Sequence, residues 1–383
     1  MLKVAQILYS GMGGHGSVAF SLLGADQNRE WRPFLGFLGI EPLSGAYAEQ
    51  CRTRGISHRY FPVVAGKSWR AWGAIFAWLS DIGPEAIILH SITALLPCLI
   101  YSRSRNAPLI VVEHQSNALK SRSEWAFSFL AMLLADRIVT LTPDYDRELR
   151  RWLGPFFRPE KVRIIPNGVD VSRFSPGNGS DRRTGSIRLG MAARFTEIRR
   201  QDALIDMLSE LRRREPGVDW RLSLAGDGVT REALERRAQG LGLGACVNFP
   251  GQLNEEEMIA WYSALDIYLH ASEGETLSTS LLQAMASGLP IIASDAPGIG
   301  NLVAGETDCG VLVQGQSPQG FAAAVIGLVE RPEAVVRLGA NGRRLAEEFY
   351  SHRQMFSKYK CVIENKASGS EAGDDRPVSS DGA

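Results

Sequence analysis

Two arginines, Arg194 and Arg199, stand five residues apart between a short apolar stretch and a helical pattern. A planar guanidinium donates two hydrogen bonds to adjacent phosphate oxygens, so two of them in one loop can bind a diphosphate. The apolar stretch, residues 188–192, is typical of a buried strand, and parallel sheets bind ligands beyond the carboxyl ends of their strands. We therefore expect a diphosphate here, while on this segment alone a solvated pair of loop arginines remains the alternative.

A second polar loop, farther along the chain, combines a carboxylate with the start of another helical pattern. Thr276, Leu277 and Ser278 lie where the free N–H groups of a helix start can bind phosphate. Glu275 precedes them, and Gln283 lies eight residues later on the predicted helix, from which its side chain reaches back toward the loop. These residues predict a site for the remaining parts of a phosphorylated ligand.

Glycine-rich turns follow two predicted strands. Gly14 and His15 lie in the first of these turns, and Gly226 and Gly228 flank Asp227 in the second. Glycines at such positions let the backbone approach a ligand closely, and the following helix start favours an anion. A tight turn without a ligand is the alternative for both segments, and His15 by itself is typical of a polar loop residue.

Three further polar residues have more than one interpretation. His114 follows Glu113 at the end of a predicted strand, which suits a contact to substrate, although a buried, hydrogen-bonded histidine is favoured from this segment alone. Asp144 and Asp146 form a D-x-D pattern that holds a metal in some sugar transferases. Because Thr142 and a proline precede them, we interpret the two as first-turn carboxylates of a capped helix and expect no metal site.

The elements that position these residues are strands and helices in alternation. Continuous apolar strands separated by helical patterns predict parallel sheets covered on both faces, hence an α/β protein with two doubly wound Rossmann-like domains facing across a cleft. The predicted strands are 4–9, 86–89, 109–113, 137–141, 162–165, 188–192, 221–225, 246–249, 267–269 and 290–293.

A polar linker and a polar tail give the domain boundaries. Residues 175–186 contain proline, glycine and charge but no large apolar side chain, as exposed linkers do. We predict a first domain over 1–176, a second domain over 186–345, a helix over 346–365 that packs toward the first domain, and a disordered tail over 366–383.

The composition of the 383 residues agrees with two globular domains. Lys and Arg number 42, as do Asp and Glu, but residues 1–177 have the basic excess, which indicates either an anionic acceptor or an uneven solvated surface. The five cysteines are scattered singly, as expected for reduced thiols in the cytoplasm. We expect neither a signal peptide nor a membrane span. Residues 67–78 mix basic residues with tryptophan, which suits a peripheral membrane contact or a helix with buried tryptophans.

Together these segments resemble the retaining glycosyltransferases of family 4, which have the GT-B fold. The resemblance covers roughly residues 1–350 and includes the PNGVD motif at 166–170, with Phe174 after it. Family sequences usually have Lys at the position of Arg199 and Glu at the positions of Gln283 and Asn301, so this chain departs from the pattern in three places. Either Glu273 or Glu275 fits the register of the family's sugar-binding carboxylate.

The resemblance implies that the domain over 1–176 binds the acceptor and that the domain over 186–345 binds the nucleotide-sugar. It also implies a role for each candidate residue. Those implied in catalysis are Arg194, Arg199, Glu275 and His114; those implied in donor or nucleotide binding are Gly14, Gly226, Gly228, Thr276, Leu277, Ser278 and Gln283; those on the acceptor side are His15 and Asn167.

The implied reaction moves a hexosyl or N-acetylhexosaminyl group from a nucleotide diphosphate sugar to a glycan or lipid-linked glycan, as in bacterial surface polysaccharide synthesis. The resemblance implies no cofactor, no metal and no nucleic acid, and a place in the cytoplasm at or near the inner face of the membrane. The alternatives are a nucleotide-sugar epimerase or hydrolase on the same fold, or a sugar-binding protein without catalysis.

Overall fold

The computed structural model describes residues 1–11, 14–114, 117, 120–177, 185–304 and 307–368. These residues form two parallel sheets flanked by helices, which confirms the predicted fold of two Rossmann-like domains. The middle of the predicted linker and the predicted tail beyond Ser368 lie outside the described residues.

The first domain is built on a seven-stranded sheet in the order β3-β2-β1-β4-β5-β6-β7, with every pair parallel. Its strands are β1 Leu2–Tyr9, β2 Trp31–Gly39, β3 Ser57–Pro62, β4 Ala86–Leu89, β5 Leu109–Val112, β6 Arg137–Thr140 and β7 Val162–Ile164. Its helices are α1 Gly14–Ala25, α2 Gly45–Thr53, α3 Trp72–Ile82, α4 Leu95–Arg105, α5 Arg122–Leu134 and α6 Pro143–Leu153.

The second domain has a six-stranded parallel sheet in the order β10-β9-β8-β11-β12-β13. Its strands are β8 Ser186–Ala192, β9 Asp219–Ala225, β10 Val247–Gly251, β11 Ile267–His270, β12 Ile291–Ser294 and β13 Gly310–Val313. The remaining helices are α7 Gln201–Arg214, α8 Arg231–Gly240, α9 Glu255–Ser263, α10 Thr279–Ala286, α11 Gly300–Val303, α12 Pro318–Val329, α13 Pro332–Phe349 and α14 His352–Ser368.

All ten predicted strands are present, and three strands were missed. β2 contains Pro33 and two glycines, which are typical of turns, and β3 lies at the edge of its sheet with mostly exposed residues. β13 is four residues long and also lies at an edge. Every residue of β4, β5, β11 and β12 is buried, which accounts for their clear apolar signal.

The chain returns to the first domain at its end. After α13 it pairs with the interdomain segment through a single bridge between Val169 and Ser351, and α14 then packs against α1. The ring of Phe356 lies 4.7 Å from that of Trp31, between centroids, and Lys360 forms an ion pair with Glu30. This final helix therefore joins the two domains by a second route.

The basic, tryptophan-rich segment has both buried and exposed parts. Trp78 is buried under the first sheet, whereas the Trp69 side chain is 56% exposed. The indole of Trp72 donates a hydrogen bond to the carbonyl oxygen of Thr93 at 2.9 Å. Across the described part of the chain, no helix has the length and apolar character needed to span a membrane.

Candidate active site

The carboxyl ends of the two sheets face each other, and several side chains connect them. Arg194, which follows β8, places its Nη1 atom 3.9 Å from an Oε1 atom of Glu41, which follows β2. Asn301 donates a hydrogen bond to Asp144 Oδ2 at 2.6 Å. The cleft between these contacts is where residues of both domains can act on one ligand.

The side chain of Arg194 lies near the end of β1 in the first domain. Its guanidinium carbon is 6.0 Å from the centre of the Tyr9 ring, at the end of β1, and its carbonyl oxygen accepts a hydrogen bond from Gln201 Nε2 at 3.2 Å. The hydrogen bond from Gln201 on α7 thus fixes the backbone of Arg194, while its guanidinium group extends toward the first domain. This position suits a group that closes over an anion bound in the cleft.

Arg199 is half-buried at the end of a short 3-10 turn, and its guanidinium points at the second polar loop. It forms an ion pair with Glu275 and donates a hydrogen bond from Nη1 to Ser272 Oγ at 3.2 Å. Burial lowers the pKa of Arg199, but an arginine stays charged at physiological pH. The predicted diphosphate-binding cation therefore already has a carboxylate partner.

The structure distinguishes the two glutamates that the sequence left in question. The side chain of Glu275 is 10% exposed and contacts both Arg199 and His270, whose Nε2 atom is 3.1 Å from Glu275 Oε1. The side chain of Glu273 is 54% exposed and pairs with Arg200 at 3.4 Å. Glu275 is accordingly the carboxylate that belongs to the cluster around Arg199.

The loop from Thr276 to Ser278 is buried and leads into α10. Ser278 is the N-cap residue, and its Oγ atom accepts a hydrogen bond from the backbone N–H of Leu281 at 3.4 Å. The amide of Asn167, which is itself buried, donates to the carbonyl oxygen of Leu277 at 3.2 Å. Asn167 thus holds this loop against the interdomain segment through its hydrogen bond to Leu277.

Gln283 lies one turn into α10, and its carbonyl oxygen faces a buried tyrosine. Tyr262 Oη donates toward Gln283 Oε1 at 3.2 Å and toward the carbonyl oxygen of Ser280 at 2.9 Å. Because a tyrosine hydroxyl donates a single proton, the two oxygens share it. The contact orients the amide so that its NH2 group is the end available for a ligand.

The glycines after β9 are required by the packing of the backbone itself. Gly226 has φ +127° and Gly228 has φ +154°, and a Cβ atom at either one would overlap the carbonyl oxygen of Ala193 or of Phe195. Phe195 N–H also donates to the carbonyl oxygen of Asp227 at 2.9 Å. The turn thus fixes the path of the chain just before Arg199. Gly14, the other predicted glycine, is the first residue of α1.

Three histidines cluster where the strands of the first domain end. His15 and His114 were singled out from the sequence, and their rings lie 4.4 Å apart between centroids. His90, at the end of β4, connects His114 to the core, because its Nδ1 atom is 2.8 Å from His114 Nε2 and its Nε2 atom is 3.1 Å from Gln6 Oε1. The carboxyl end of the first sheet therefore brings three imidazoles together, and a hydrogen bond joins those of His90 and His114.

These imidazoles are uncharged near neutral pH. Burial lowers the pKa of His90 to about 3 and that of His15 to about 4, and it also holds the pKa of His114 well below its usual value. The positive charge of Arg194 contributes to the shift of His15, which places the cluster close to that cation. A neutral imidazole can accept a hydrogen bond from a sugar hydroxyl.

The D-x-D pattern forms a capped helix start, as predicted. Thr142 Oγ1 accepts from the N–H of Tyr145 at 3.2 Å, Pro143 is the first residue of α6, and Asp144 pairs with Arg147. Among the residues that the structure describes, no group of three or more His, Cys, Asp or Glu side chains could hold a metal ion.

The predicted residues form two groups on opposite walls of the cleft. Arg199, Glu275, the 276–278 loop and Gln283 lie on the second domain, His15 and His114 lie on the first, and Arg194 reaches from one toward the other. Sequence reasoning missed His90, His270, Tyr262 and Glu41. His90 and His270 have a common signal, since each comes directly after a short run of buried hydrophobic residues at the carboxyl end of a strand.

Comparison with known proteins identifies the family. Residues 12–173 match the family described as Glycosyltransferase Family 4, and residues 186–331 match Glycosyl transferases group 1. The D-inositol 3-phosphate glycosyltransferase of Rhodococcus erythropolis is 29% identical over 258 residues, which cover 63% of this chain and 58% of that protein. The protein of the same name from Geodermatophilus obscurus is 30% identical over 256 residues, which cover 62% and 55% of the two chains. The match therefore spans little more than half the length of these relatives.

Solved structures with the same fold include Anabaena HepE in complex with UDP and glucose. Its TM-score is 0.79 at 18% identity, with 95% of this chain and 100% of that chain covered. Another HepE structure, in complex with UDP-glucose, also has a TM-score of 0.79, at 19% identity, with 96% and 100% of the two chains covered. The chain therefore belongs to the group 1, family 4 glycosyltransferases, which have the GT-B fold of two Rossmann-like domains.

Proposed function

We propose that this chain transfers a hexosyl or N-acetylhexosaminyl group from a nucleotide diphosphate sugar to a hydroxyl group of an acceptor, with retention of anomeric configuration. The observation that carries the proposal is the cluster of Arg199, Glu275 and the capped start of α10 at the carboxyl edge of the second sheet. A cation, a helix start and a carboxylate together suit a diphosphate linked to a sugar. The HepE complexes with UDP and UDP-glucose support this choice of donor class.

In this proposal the two arginines stabilise the leaving group. Negative charge develops on the diphosphate as the bond between sugar and phosphate oxygen breaks. The positively charged guanidinium groups of Arg199 and Arg194 lie where that charge appears. A bound diphosphate competes with Glu275 for Arg199, because both are anions within reach of one guanidinium. The Glu275 carboxylate then accepts a hydrogen bond from a hydroxyl of the donor sugar.

The acceptor approaches from the first domain, past the neutral histidines. We expect front-face attack, in which a leaving phosphate oxygen takes the proton of the acceptor hydroxyl, so that no second catalytic carboxylate is required. The two arginines and the start of α10 supply the positive charge, so we also expect the reaction to proceed without a divalent metal ion or other cofactor.

Two classes of acceptor have support. The relatives named D-inositol 3-phosphate glycosyltransferase suggest a phosphorylated polyol, which suits the basic excess of residues 1–177. A lipid-linked glycan of surface polysaccharide synthesis, reached in the cytoplasm at the inner face of the membrane, is suggested by the exposed Trp69 beside Arg70. We favour the glycan or lipid-linked glycan, with the inositol phosphate as the comparison substrate.

The test is a panel of UDP-, GDP- and ADP-sugars, incubated in the presence of EDTA with each acceptor and without acceptor. We expect one donor class to release nucleoside diphosphate only when an acceptor is present, and NMR of the product to show the donor's anomeric configuration. Equal release with and without acceptor would instead indicate a hydrolase or epimerase. No turnover of any sugar nucleotide, with or without added metal, would overturn the proposal.

A further inference from the structure

The buried histidine at the end of β11 is adjacent to the carboxylate assigned to the donor sugar. His270 has no exposed surface, and its Nε2 atom lies 3.1 Å from Glu275 Oε1. The same oxygen, Oε1, receives the ion pair from Arg199. Within the described part of the chain, the hydrogen bond from His270 and the closest approach of Arg199 therefore both fall on Oε1.

The proton on His270 can be assigned from its partner. Glu275 is ionised because it pairs with Arg199, and an ionised carboxylate only accepts hydrogen bonds. His270 Nε2 must therefore carry the hydrogen. Burial lowers the pKa of His270 to about 3, so the ring is neutral and Nδ1 carries the lone pair. Among the described residues this Nδ1 atom has no hydrogen-bond partner, although it is buried.

This arrangement is unfavourable for stability. A buried polar atom without a partner costs free energy that an apolar side chain of similar size does not. The three residues of β11 before His270 are Ile267, Tyr268 and Leu269, and all three are buried. A leucine at position 270 would fill the space without an unpartnered nitrogen, so packing alone does not account for a histidine that contacts Glu275.

We propose that His270 is a positioning residue that holds Glu275 Oε1 in place while Arg199 turns to the diphosphate, leaving Oε2 to accept a hydroxyl of the donor sugar. Without it, the Glu275 side chain would have no contact from these two residues at the moment when Arg199 is drawn to the phosphates. Because Oε2 only accepts, the group of the sugar that lies against it is a donor, such as a hydroxyl or amide N–H. This inference rests on the proposed function.

A matched pair of variants separates positioning from packing. His270→Gln keeps an N–H donor near the position of Nε2, whereas His270→Leu fills the space without one. We expect His270→Leu to unfold at nearly the same temperature as the wild type, because removal of the unpartnered nitrogen offsets the loss of the hydrogen bond to Glu275. We expect its kcat with the donor identified by the panel to fall about 10- to 100-fold, as for the loss of one hydrogen bond to a charged group.

The two variants should differ in turnover but not in nucleotide binding. We expect His270→Gln to recover most of the lost kcat, and both variants to bind the free nucleoside diphosphate within about threefold of wild type, because the arginines and α10 are unchanged. Wild-type turnover in His270→Leu, or equal losses in both variants, would overturn the positioning role.

A measurement without substrate distinguishes failure of this inference from failure of the proposed function. In the full-length protein with 15N-labelled histidine, we expect the His270 ring to carry its proton on Nε2, and that resonance to shift in Glu275→Ala. A proton on Nδ1, or no response to Glu275→Ala, would contradict the inference whether or not the chain transfers sugar. If the spectrum shows the proton on Nε2 and the response to Glu275→Ala, but the protein turns over no sugar nucleotide, only the proposed function is contradicted.

Discussion

Arg194 and Arg199 have different surroundings, although both were predicted as one pair of phosphate-binding cations. Arg199 is half-buried and already paired with Glu275, whereas the side chain of Arg194 is 40% exposed and reaches toward Glu41 and Tyr9 of the other domain. In the proposed function, the first cation lies at the floor of the donor site. The second is placed to close over a ligand from the side.

Replacing Arg194 tests whether it stabilises the leaving group. We expect Arg194→Ala to lower kcat about 100- to 1000-fold, the loss seen when one preorganised donor to a developing negative charge is removed. Arg200→Ala is the matched control, since that arginine pairs with Asp202 and the exposed Glu273, away from the Arg199–Glu275 cluster. Turnover at the wild-type rate in Arg194→Ala would show that the cation has no part in the reaction.

At the scale of single elements, the turn after β9 illustrates how local packing sets the site. Gly226 and Gly228 let this turn lie directly against the carbonyl oxygens of Ala193 and Phe195, and that contact fixes the segment from which Arg199 extends. The sequence interpretation attributed these glycines to a nearby ligand. The structure gives them a role in backbone packing that exists before any ligand binds.

A side chain at Gly228 should therefore disturb the fold. We expect Gly228→Ala to lower the free energy of unfolding by about 1–3 kcal/mol, because the new Cβ atom overlaps Phe195 O and the backbone has φ +154°. Gly217→Ala is the control, since a Cβ atom there meets nothing within 4 Å. Urea unfolding of both variants checks this, and equal stability of Gly228→Ala and wild type would contradict the packing argument.

How far the sequence predicts each element depends on where that element lies. Strands such as β4 and β11 are buried on both faces and read as continuous apolar stretches, so they were predicted within a residue or two. The edge strand β3 and the proline-containing β2 lack that signal. The α6 start was predicted in detail because its capping residues are adjacent in sequence.

The candidate site could be predicted only in part, for a related reason. Arg194, Arg199 and Glu275 lie in loops whose spacing is visible in the sequence. His90 meets His114, 24 residues away at the end of the neighbouring strand, so this contact depends on the order of strands in the sheet. His270 meets Glu275 five residues later, and this contact depends on the path of the loop after β11. Tyr262 likewise reaches Gln283 from another helix. The spacing of residues along the sequence does not predict tertiary contacts of this kind.

At the scale of the whole molecule, the buried neutral histidines couple stability to pH. Folding lowers the pKa values of His90 and His270 to about 3 and that of His15 to about 4, whereas in the unfolded chain they titrate near 6.5. Below pH 6.5 the unfolded state therefore binds more protons than the folded state. The stability that these groups confer is fully present above that pH and is lost as the pH falls.

We expect the free energy of unfolding to decrease between pH 6.5 and 5, above the range in which most carboxylates titrate. Each such histidine contributes a slope of up to about 1.4 kcal/mol per pH unit once its unfolded form is protonated. Urea unfolding at several pH values measures the slope, and His90→Asn should make it shallower. Stability that rises on acidification in this window would contradict the neutral, buried state of the histidines.

The two domains are connected at several points around the cleft. Arg54 of the first domain and Arg173 of the interdomain segment both pair with Glu255 on α9, and α14 packs against α1. The proposed diphosphate site lies mainly on the second domain. A free nucleoside diphosphate should consequently bind without an acceptor.

The most direct test of the account is calorimetric titration of the full-length protein with UDP, GDP and ADP and with the corresponding nucleosides. We predict that one diphosphate binds, that its nucleoside binds far more weakly, and that Arg199→Ala loses about tenfold or more in affinity for the diphosphate, as expected for charge-assisted hydrogen bonds to phosphate. Binding of no nucleoside diphosphate, or equal affinity for diphosphate and nucleoside, would contradict a diphosphate site at Arg199.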